Sequence, residues 1–201
     1  MTKYAMAIDA KNCTGCNSCT VACKMNNCLV PDVYYSYVQL GEEGEYPNTK
    51  LTVEHHMCNH CDNPPCVEIC PVGATYKSPE GLVLVNAEEC IGCSQCIDAC
   101  PYGARTLVVD LETGYYDEGL TTLETAQFQG HTAHTVEKCT FCAPRLARGE
   151  TPLCVQTCPN LCRYFGDVDD SESEISKILK ERSYSVQLPE EKTKPRVYYL
   201  D

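Results

Sequence analysis

Sixteen of the eighteen cysteines in this chain fall into four sets of four, and each set opens with a Cys-x-x-Cys pair. The first set is Cys13, Cys16, Cys19 and Cys23; the second is Cys58, Cys61, Cys66 and Cys70. The third is Cys90, Cys93, Cys96 and Cys100; the fourth is Cys139, Cys142, Cys154 and Cys158. In every set three residues separate the last two cysteines, and Pro71, Pro101 and Pro159 follow the last cysteine of the second, third and fourth. Thiols at such fixed, short spacings constrain the fold more than any hydrophobic pattern does. The backbone must curl, four times over, around something that thiolates bind.

The third set, CIGCSQCIDACP, has the C-x2-C-x2-C-x3-C-P spacing by which bacterial ferredoxins hold [4Fe–4S] clusters. A tight loop of this form brings three thiolates to three iron corners, and four sets imply four clusters. Gly15 and Gly92 lie inside two of the loops, where a positive φ or a close backbone approach is expected. The fourth cysteine lies one helical turn further on and points away; in two-cluster ferredoxins it ligates the neighbouring cluster. The proline after it ends the short helix. Structural zinc also takes four cysteines, but usually from two separated Cys-x-x-Cys knuckles. A disulfide scaffold belongs to shorter, secreted chains. Unpaired core cysteine is a fair reading only for Cys28 and Cys162, which fall outside the pattern.

Applied to the second and third sets, which a short linker joins, the crossing rule gives one cluster Cys58, Cys61, Cys66 and Cys100 and its neighbour Cys90, Cys93, Cys96 and Cys70. By elimination and the same rule, the first and fourth sets pair across the long insertion. One outer cluster then takes Cys13, Cys16, Cys19 and Cys158, the other Cys139, Cys142, Cys154 and Cys23.

Lys plus Arg number 16 against 28 Asp plus Glu, a formal charge of −12. Four oxidised, thiolate-bound clusters take the loaded protein to about −20. That excludes nucleic acid as a partner, since a phosphate backbone needs a basic surface. No run of about eighteen apolar residues is present, so no membrane-spanning helix is expected. Met1-Thr2-Lys3-Tyr4 leads straight toward a strand rather than a secretory leader. Free thiols and cluster assembly point to maturation in the reducing cytoplasm. The final location is expected to be cytoplasmic, or exported with a signal-bearing partner.

Alternation and turn signals place a strand at 4–9, a helix at 18–25 carrying Cys19 and Cys23, and a strand at 51–56. Residues 29–50, with Tyr34, Tyr35, Tyr37 and Tyr46, read as an extended excursion turning at Gly41-Glu42-Glu43-Gly44. Residues 67–70 and 95–100 read as short helices beside their clusters, and 81–85 as a strand. Residues 106–111 and 114–116 read as two strands about Glu112-Thr113-Gly114, and the polar stretch 120–134 as a mobile loop or an interface segment. Ser171 with Glu174 fits a capping box opening a helix that buries Ile175, Ile178 and Leu179 and ends near Arg182. The tail, 188–201, is extended, either frayed or docked through Val197-Tyr198-Tyr199-Leu200.

Outside the sixteen cysteines the signals are weaker. His55, His56 and His60 surround the start of the second set and are expected to hydrogen-bond near a cluster or lie on the surface rather than bind iron. His131 and His134 lack a third ligand and read as structural. Lys138, Arg145 and Arg148 flank the fourth set; they either raise a cluster's potential or pair with surface carboxylates. The sequence has no phosphate loop, nucleophile motif or dinucleotide fingerprint, and fully cysteine-ligated clusters leave no iron open to substrate. The supported chemistry is one-electron relay, and a free polyferredoxin-type carrier is the alternative to a relay subunit.

The series from the first set through CNHCDNPPCVEICP, CIGCSQCIDACPYGAR, KCTFC and CVQTCP resembles the four-cluster iron–sulfur (beta) subunits of molybdopterin oxidoreductases, the dimethyl sulfoxide reductase family. The resemblance spans about residues 4–167. It implies the same crossed ligand sets. It also implies an α+β fold of two nested ferredoxin-like halves: 1–50 with 106–165 outside, 51–105 inside, and 166–201 as a helix and tail. It further implies docking on a large catalytic subunit whose bis-pterin molybdenum or tungsten cofactor is absent from this chain. A membrane quinol-oxidising anchor or a soluble donor would complete the circuit. The tail KTKPRVYY resembles that of pyrogallol hydroxytransferase small subunits, which leans toward a phenol-directed branch. Lys24 stands where the other sets have proline, and Leu161-Cys162 where such halves often have Gly-Ala.

Metal binding and folding should be coupled in so cysteine-rich a chain. Removing iron with a chelator is expected to leave the protein largely unfolded, which far-UV circular dichroism reads directly; an unchanged spectrum would refute the coupling.

Overall fold

The computed structural model describes residues 2–201 as a mixture of short helices and short sheets. The central sheet is built on β1 (Tyr4–Asp9), in which Ala5, Met6, Ala7 and Ile8 are fully buried. A strand apolar on both faces needs neighbours on both edges and cover above and below. The neighbours come from the far end of the chain. β8 (Arg163–Asp167) pairs antiparallel with β1, Ile8 opposite Arg163. β10 (Val197–Leu200) pairs parallel with its other edge, Met6 opposite Val197, and β9 (Tyr184–Ser185) completes the order β8-β1-β10-β9. The end of the tail is therefore a docked strand, while Pro189–Glu191 form a short 3-10 helix rather than extended chain.

Between these ends the chain makes four cysteine-bearing excursions. α1 (Ser18–Asn27) follows β1 and is two residues longer than the sequence signal. β2 (Ser36–Glu43) and β3 (Lys50–Met57) form a long hairpin in which Gly41 pairs with Thr52. The expected turn at 41–44 is thus mostly strand, and the reversal falls at 44–49. A φ of +95° at Gly44 permits it there. α2 (Pro65–Glu68) precedes a small sheet of β4 (Thr75–Lys77) and β5 (Val83–Val85), and α3 (Gln95–Asp98) follows it.

Three readings of the sequence need correction. β6 (Thr106–Val108) pairs with β7 (Thr135–Glu137), not with residues 114–116. Asp110 closes the 110–113 segment on itself by accepting from the Glu112 amide and the Thr113 hydroxyl, and the Tyr115 amide is taken by Glu124 at 2.7 Å. Residues 120–134 are not all loop: α4 (Thr122–Phe128) lies within them. Its capping box is Thr121 with Glu124, and Phe128 packs with Leu29, Val30, Val33 and Val108. Finally, α7 (Glu174–Glu181) is capped by Ser173, not Ser171. The Ser173 hydroxyl donates to Asp167 O and accepts from the Ser176 amide, so Glu174 is the first helical residue. As expected, α7 carries Ile175, Ile178 and Leu179, here against Ala5, Ala7 and Leu200, and ends at Arg182. α5 (Ala143–Leu146) and α6 (Leu153–Gln156) carry the fourth cysteine set back to β8.

His131 ties three of these pieces together and proves structural, as the sequence suggested. Its Nδ1 lies 2.6 Å from Glu137 Oε1 and its Nε2 3.0 Å from Asn27 O, while the Tyr35 hydroxyl donates to the other Glu137 oxygen. Two acceptors on one ring favour the imidazolium. The Glu137 hydrogen bond raises the His131 pKa above 6.5 against the opposing effect of burial. A raised folded pKa stabilises the protein fully below the unfolded value of 6.5 and loses that stabilisation as pH rises through the folded value. The melting temperature is expected to fall over that rise, and the fall should flatten in His131→Asn; equal slopes in the two proteins would refute it.

Candidate electron-transfer site

All eighteen cysteines are free of disulfides, and the sixteen patterned ones lie in or beside tight loops. In each set the residue two positions after the first cysteine has a positive φ: Gly15 at +66°, His60 at +43°, Gly92 at +66° and Phe141 at +52°. This left-handed residue curls the loop and turns its own amide inward. The His60 amide donates to Cys58 Sγ and the Phe141 amide to Cys139 Sγ, each at 3.4 Å. The Gly15 and Gly92 expectation holds, while His60 and Phe141 take the same conformation with bulky side chains. Those two rings are fully buried and stack with centroids 3.8 Å apart, joining the second and fourth loops.

The structure brings thiols of different sets together. One small cavity is lined by Cys23, Cys139, Cys142 and Cys154, all buried. α1 packs on α6, which sets Cys23 among the fourth-set thiols. A second small cavity is lined by Cys58, Cys61, Cys66 and Cys100, with Arg105 and Tyr102 on its wall. α2 packs on α3 beside it. The remaining eight sit nearer the surface: Cys16 and Cys93 are exposed, Cys13, Cys158, Cys70 and Cys90 partly so, and Cys19 and Cys96 are buried.

These thiols suit a cluster with several cationic atoms. Burial, then the neighbouring thiols Cys154 and Cys142, push Cys23 up to about 12, and burial pushes Cys61 to about 11. Burial also drives Cys139 well above the ordinary thiol value. Thiols so placed ionise readily only onto bound metal, and four sulfurs converging on one spot suit an iron–sulfur core. Among the described residues no three His, Cys, Asp or Glu side chains gather tightly enough for a single ion.

Hydrogen bonds to sulfur extend beyond the loops. Asn27 Nδ2 donates to Cys23 Sγ at 3.5 Å, the Thr75 amide to Cys70 at 3.5 Å, and the Cys162 amide to Cys158 at 3.4 Å. His55 Nε2 lies 3.3 Å from Cys13 Sγ. Burial first, then the charge of Arg163, lowers the His55 pKa to about 4, so the ring is neutral. Buried His60 is neutral for the same first reason, its Nδ1 accepting from the Val83 amide. His56 instead stacks on Tyr37. Among the flanking cations, Lys138 is buried but donates to Val83 O and Cys139 O, whereas Arg145 and Arg148 pair with Glu150 near the surface. Of the unpatterned thiols, Cys162 is buried beside Cys158, and Cys28 ends α1 with a positive φ. Sequence reasoning passed over two buried arginines, Arg105 and Arg163. Their signal was position, five residues after Cys100 and Cys158.

Residues 49–114 and 125–168 match one family model described as a 4Fe-4S dicluster domain, and residues 8–74 match a second of the same description. The sequence is 36% identical to the arsenate respiratory reductase iron–sulfur subunit of Shewanella sp. (strain ANA-3), over 98% of this chain and 96% of that one. It is 37% identical to the B subunit of tetrathionate reductase from Salmonella typhimurium, over 98% and 72%. It is 36% identical to the B subunit of polysulfide reductase from Wolinella succinogenes, over 98% and 94%.

Gly92 gives a direct test of the loops. A Cβ there would run into His134 O, and the φ of +66° already disfavours any side chain. Gly92→Ala is expected to lose about four irons per chain. Gly103→Ala, with φ of +57° but open space around it, should keep them. Iron and acid-labile sulfide analysis reads both; full iron in Gly92→Ala would contradict the close packing of that loop.

Proposed function

Since this protein is a member of the iron–sulfur (B) subunits of molybdopterin oxidoreductases, we propose that it is the wire of such a complex and holds its four [4Fe–4S] clusters in a fixed linear order. The clusters supply one-electron oxidation and reduction; the polypeptide supplies their spacing, burial and charge. The observation that carries the reading is the mixing of sets around one cavity: Cys23 among Cys139, Cys142 and Cys154, and Cys100 among Cys58, Cys61 and Cys66. It favours the crossed ligand sets. By the same rule Cys13, Cys16 and Cys19 go with Cys158, and Cys90, Cys93 and Cys96 with Cys70.

Exposure then supports an order. The Cys23 set is buried, as are Cys58, Cys61 and Cys66 of the Cys100 set, and the two adjoin through the His60–Phe141 stack. The other two sites include the exposed Cys16 and Cys93 and form the ends where electrons enter and leave. The packing of α1 on α6 and of α2 on α3 favours two nested halves, the outer one closed by β1 and β8. Family membership implies a catalytic partner and argues against a free polyferredoxin. We assign the partner a molybdenum or tungsten pterin centre, at one end of the wire. A quinol-oxidising anchor or a soluble donor serves the other end, and assembly takes place in the cytoplasm. No helix among the described residues is long and apolar enough to cross a membrane.

Cys23→Ser separates crossed from uncrossed ligation. Iron is expected to fall from about sixteen to about twelve per chain. The lost electron paramagnetic resonance signal should be the one also lost in Cys139→Ser, not the one lost in Cys16→Ser. The opposite pairing of signals would overturn the ligand sets. Native purification should bring down a much larger metal–pterin subunit, and a fully active monomer would overturn the relay itself.

A further inference from the structure

Arg105 and Arg163 occupy the same place in two different sets, each five residues beyond the last cysteine in the runs CPYGAR and CPNLCR. Both are buried, 4% and 5% exposed, and neither forms an ion pair with a carboxylate among the described residues. One terminal nitrogen of each guanidinium has no hydrogen-bond partner. Their remaining contacts are neutral. Arg105 Nη1 donates to Thr75 Oγ1 at 3.1 Å, and Arg163 Nη1 lies 3.8 Å from both Met6 Sδ and Met57 Sδ. A buried charge with no anion is strongly unfavourable, so its counter-charge must lie elsewhere.

The thiols supply it, in the same way twice. Arg163 Nη1 touches Met6, which lines the Cys23, Cys139, Cys142 and Cys154 cavity, and Arg163 follows Cys162, whose amide donates to Cys158 Sγ. Burial opposes its charge, while Cys154, Cys19, Tyr199 and Cys13 favour it. Arg105 lines the Cys58, Cys61, Cys66 and Cys100 cavity and donates to Thr75, whose amide donates to Cys70 Sγ. Burial likewise opposes its charge, and Cys66, Cys96 and Cys58 favour it. Cys19 and Cys154 are the third cysteines of the first and fourth sets; Cys66 and Cys96 are the third cysteines of the second and third. Each arginine therefore faces thiolates of both clusters in one pair.

We propose that Arg163 and Arg105 set the reduction potentials of the outer and inner cluster pairs respectively, each as one fixed positive charge shared by two clusters. The inference rests on the four-cluster reading above. An electron arriving at either cluster of a pair adds negative charge, and a buried cation favours that state in a medium that screens little. Because the charge faces both members, it raises both potentials. The guanidinium suits the role because it stays protonated when buried. Lys138, Arg145 and Arg148 are committed to carbonyls or to Glu150 and do not bridge a pair.

The test is a redox titration of the native complex, monitored by electron paramagnetic resonance, with iron counted in every sample. In Arg163→Gln the two outer midpoints should fall and the two inner ones stay; Arg105→Gln should do the reverse. Arg163→Lys, which keeps the charge, should leave all four near their starting values. Full iron with unmoved midpoints in the Gln variants overturns the proposal, as does a uniform shift of all four clusters. If the Gln variants lose a cluster pair, the Lys variants decide. Retained iron there supports a charge role, and the same loss shows that the guanidinium only fills space. Wild-type protein without about sixteen irons would instead defeat the four-cluster reading.

Discussion

The structure depends on thiols gathered inside the protein that the protein itself cannot neutralise. Cys23, Cys139, Cys142 and Cys154 stand around one cavity, and burial with mutual repulsion holds Cys23 and Cys139 far above their ordinary pKa values. Only a cationic core relieves that arrangement. The apolar clusters are small, and cysteines belong to two of them: Cys19, Cys58, Cys139 and Cys154 in one, Cys66, Cys90 and Cys96 in another. Sulfur–iron bonds thus take the part that a larger hydrophobic core plays in other proteins of this length, and short helices of four residues suffice to hold the ligands.

Charge is divided between surface and interior. The acidic excess of the sequence is carried mainly by exposed or half-exposed residues, whereas Arg105, Arg163, Arg196 and Lys138 are buried. Desolvation works to raise the Asp62 pKa, but hydrogen bonds from Arg196 and Lys77 outweigh it and hold the carboxyl at about 2. Arg182 likewise lowers the pKa of buried Asp9 and so ties the end of α7 to β1. These pairs fasten the C-terminal segments, residues 182–201, onto the cluster-bearing body. The unpaired arginines remain for the thiolates.

Much of this was legible beforehand. Cysteine spacing is local: three ligands of one cluster lie within a short stretch of residues, and loop curvature follows from short chain lengths and a left-handed residue. The helix of 174–181 was legible because its apolar face has the helical period. The misread segments share a cause. Val108 pairs with Thr135 rather than with residues just downstream, and Ser173 outcompetes Ser171 because Asp167, at the end of the preceding strand, accepts from its hydroxyl. The helix at 122–128 was missed although Thr121 and Glu124 have the capping pattern, because its polar composition hid its one deep anchor, Phe128.

The sequence by itself determined the cofactor type, the cluster number and the class of chemistry, since thiolate spacing and ligand count are properties of a short segment. Tertiary structure alone decided that the tail docks as a parallel strand and that Cys23, Cys139, Cys142 and Cys154 are buried together while Cys16 and Cys93 are exposed. It also decided that Arg105 and Arg163 are buried with a guanidinium nitrogen left unpartnered. Each of these is a long-range contact. Burial and electrostatic environment depend on which distant segments close over a residue, and no spacing within one segment encodes that.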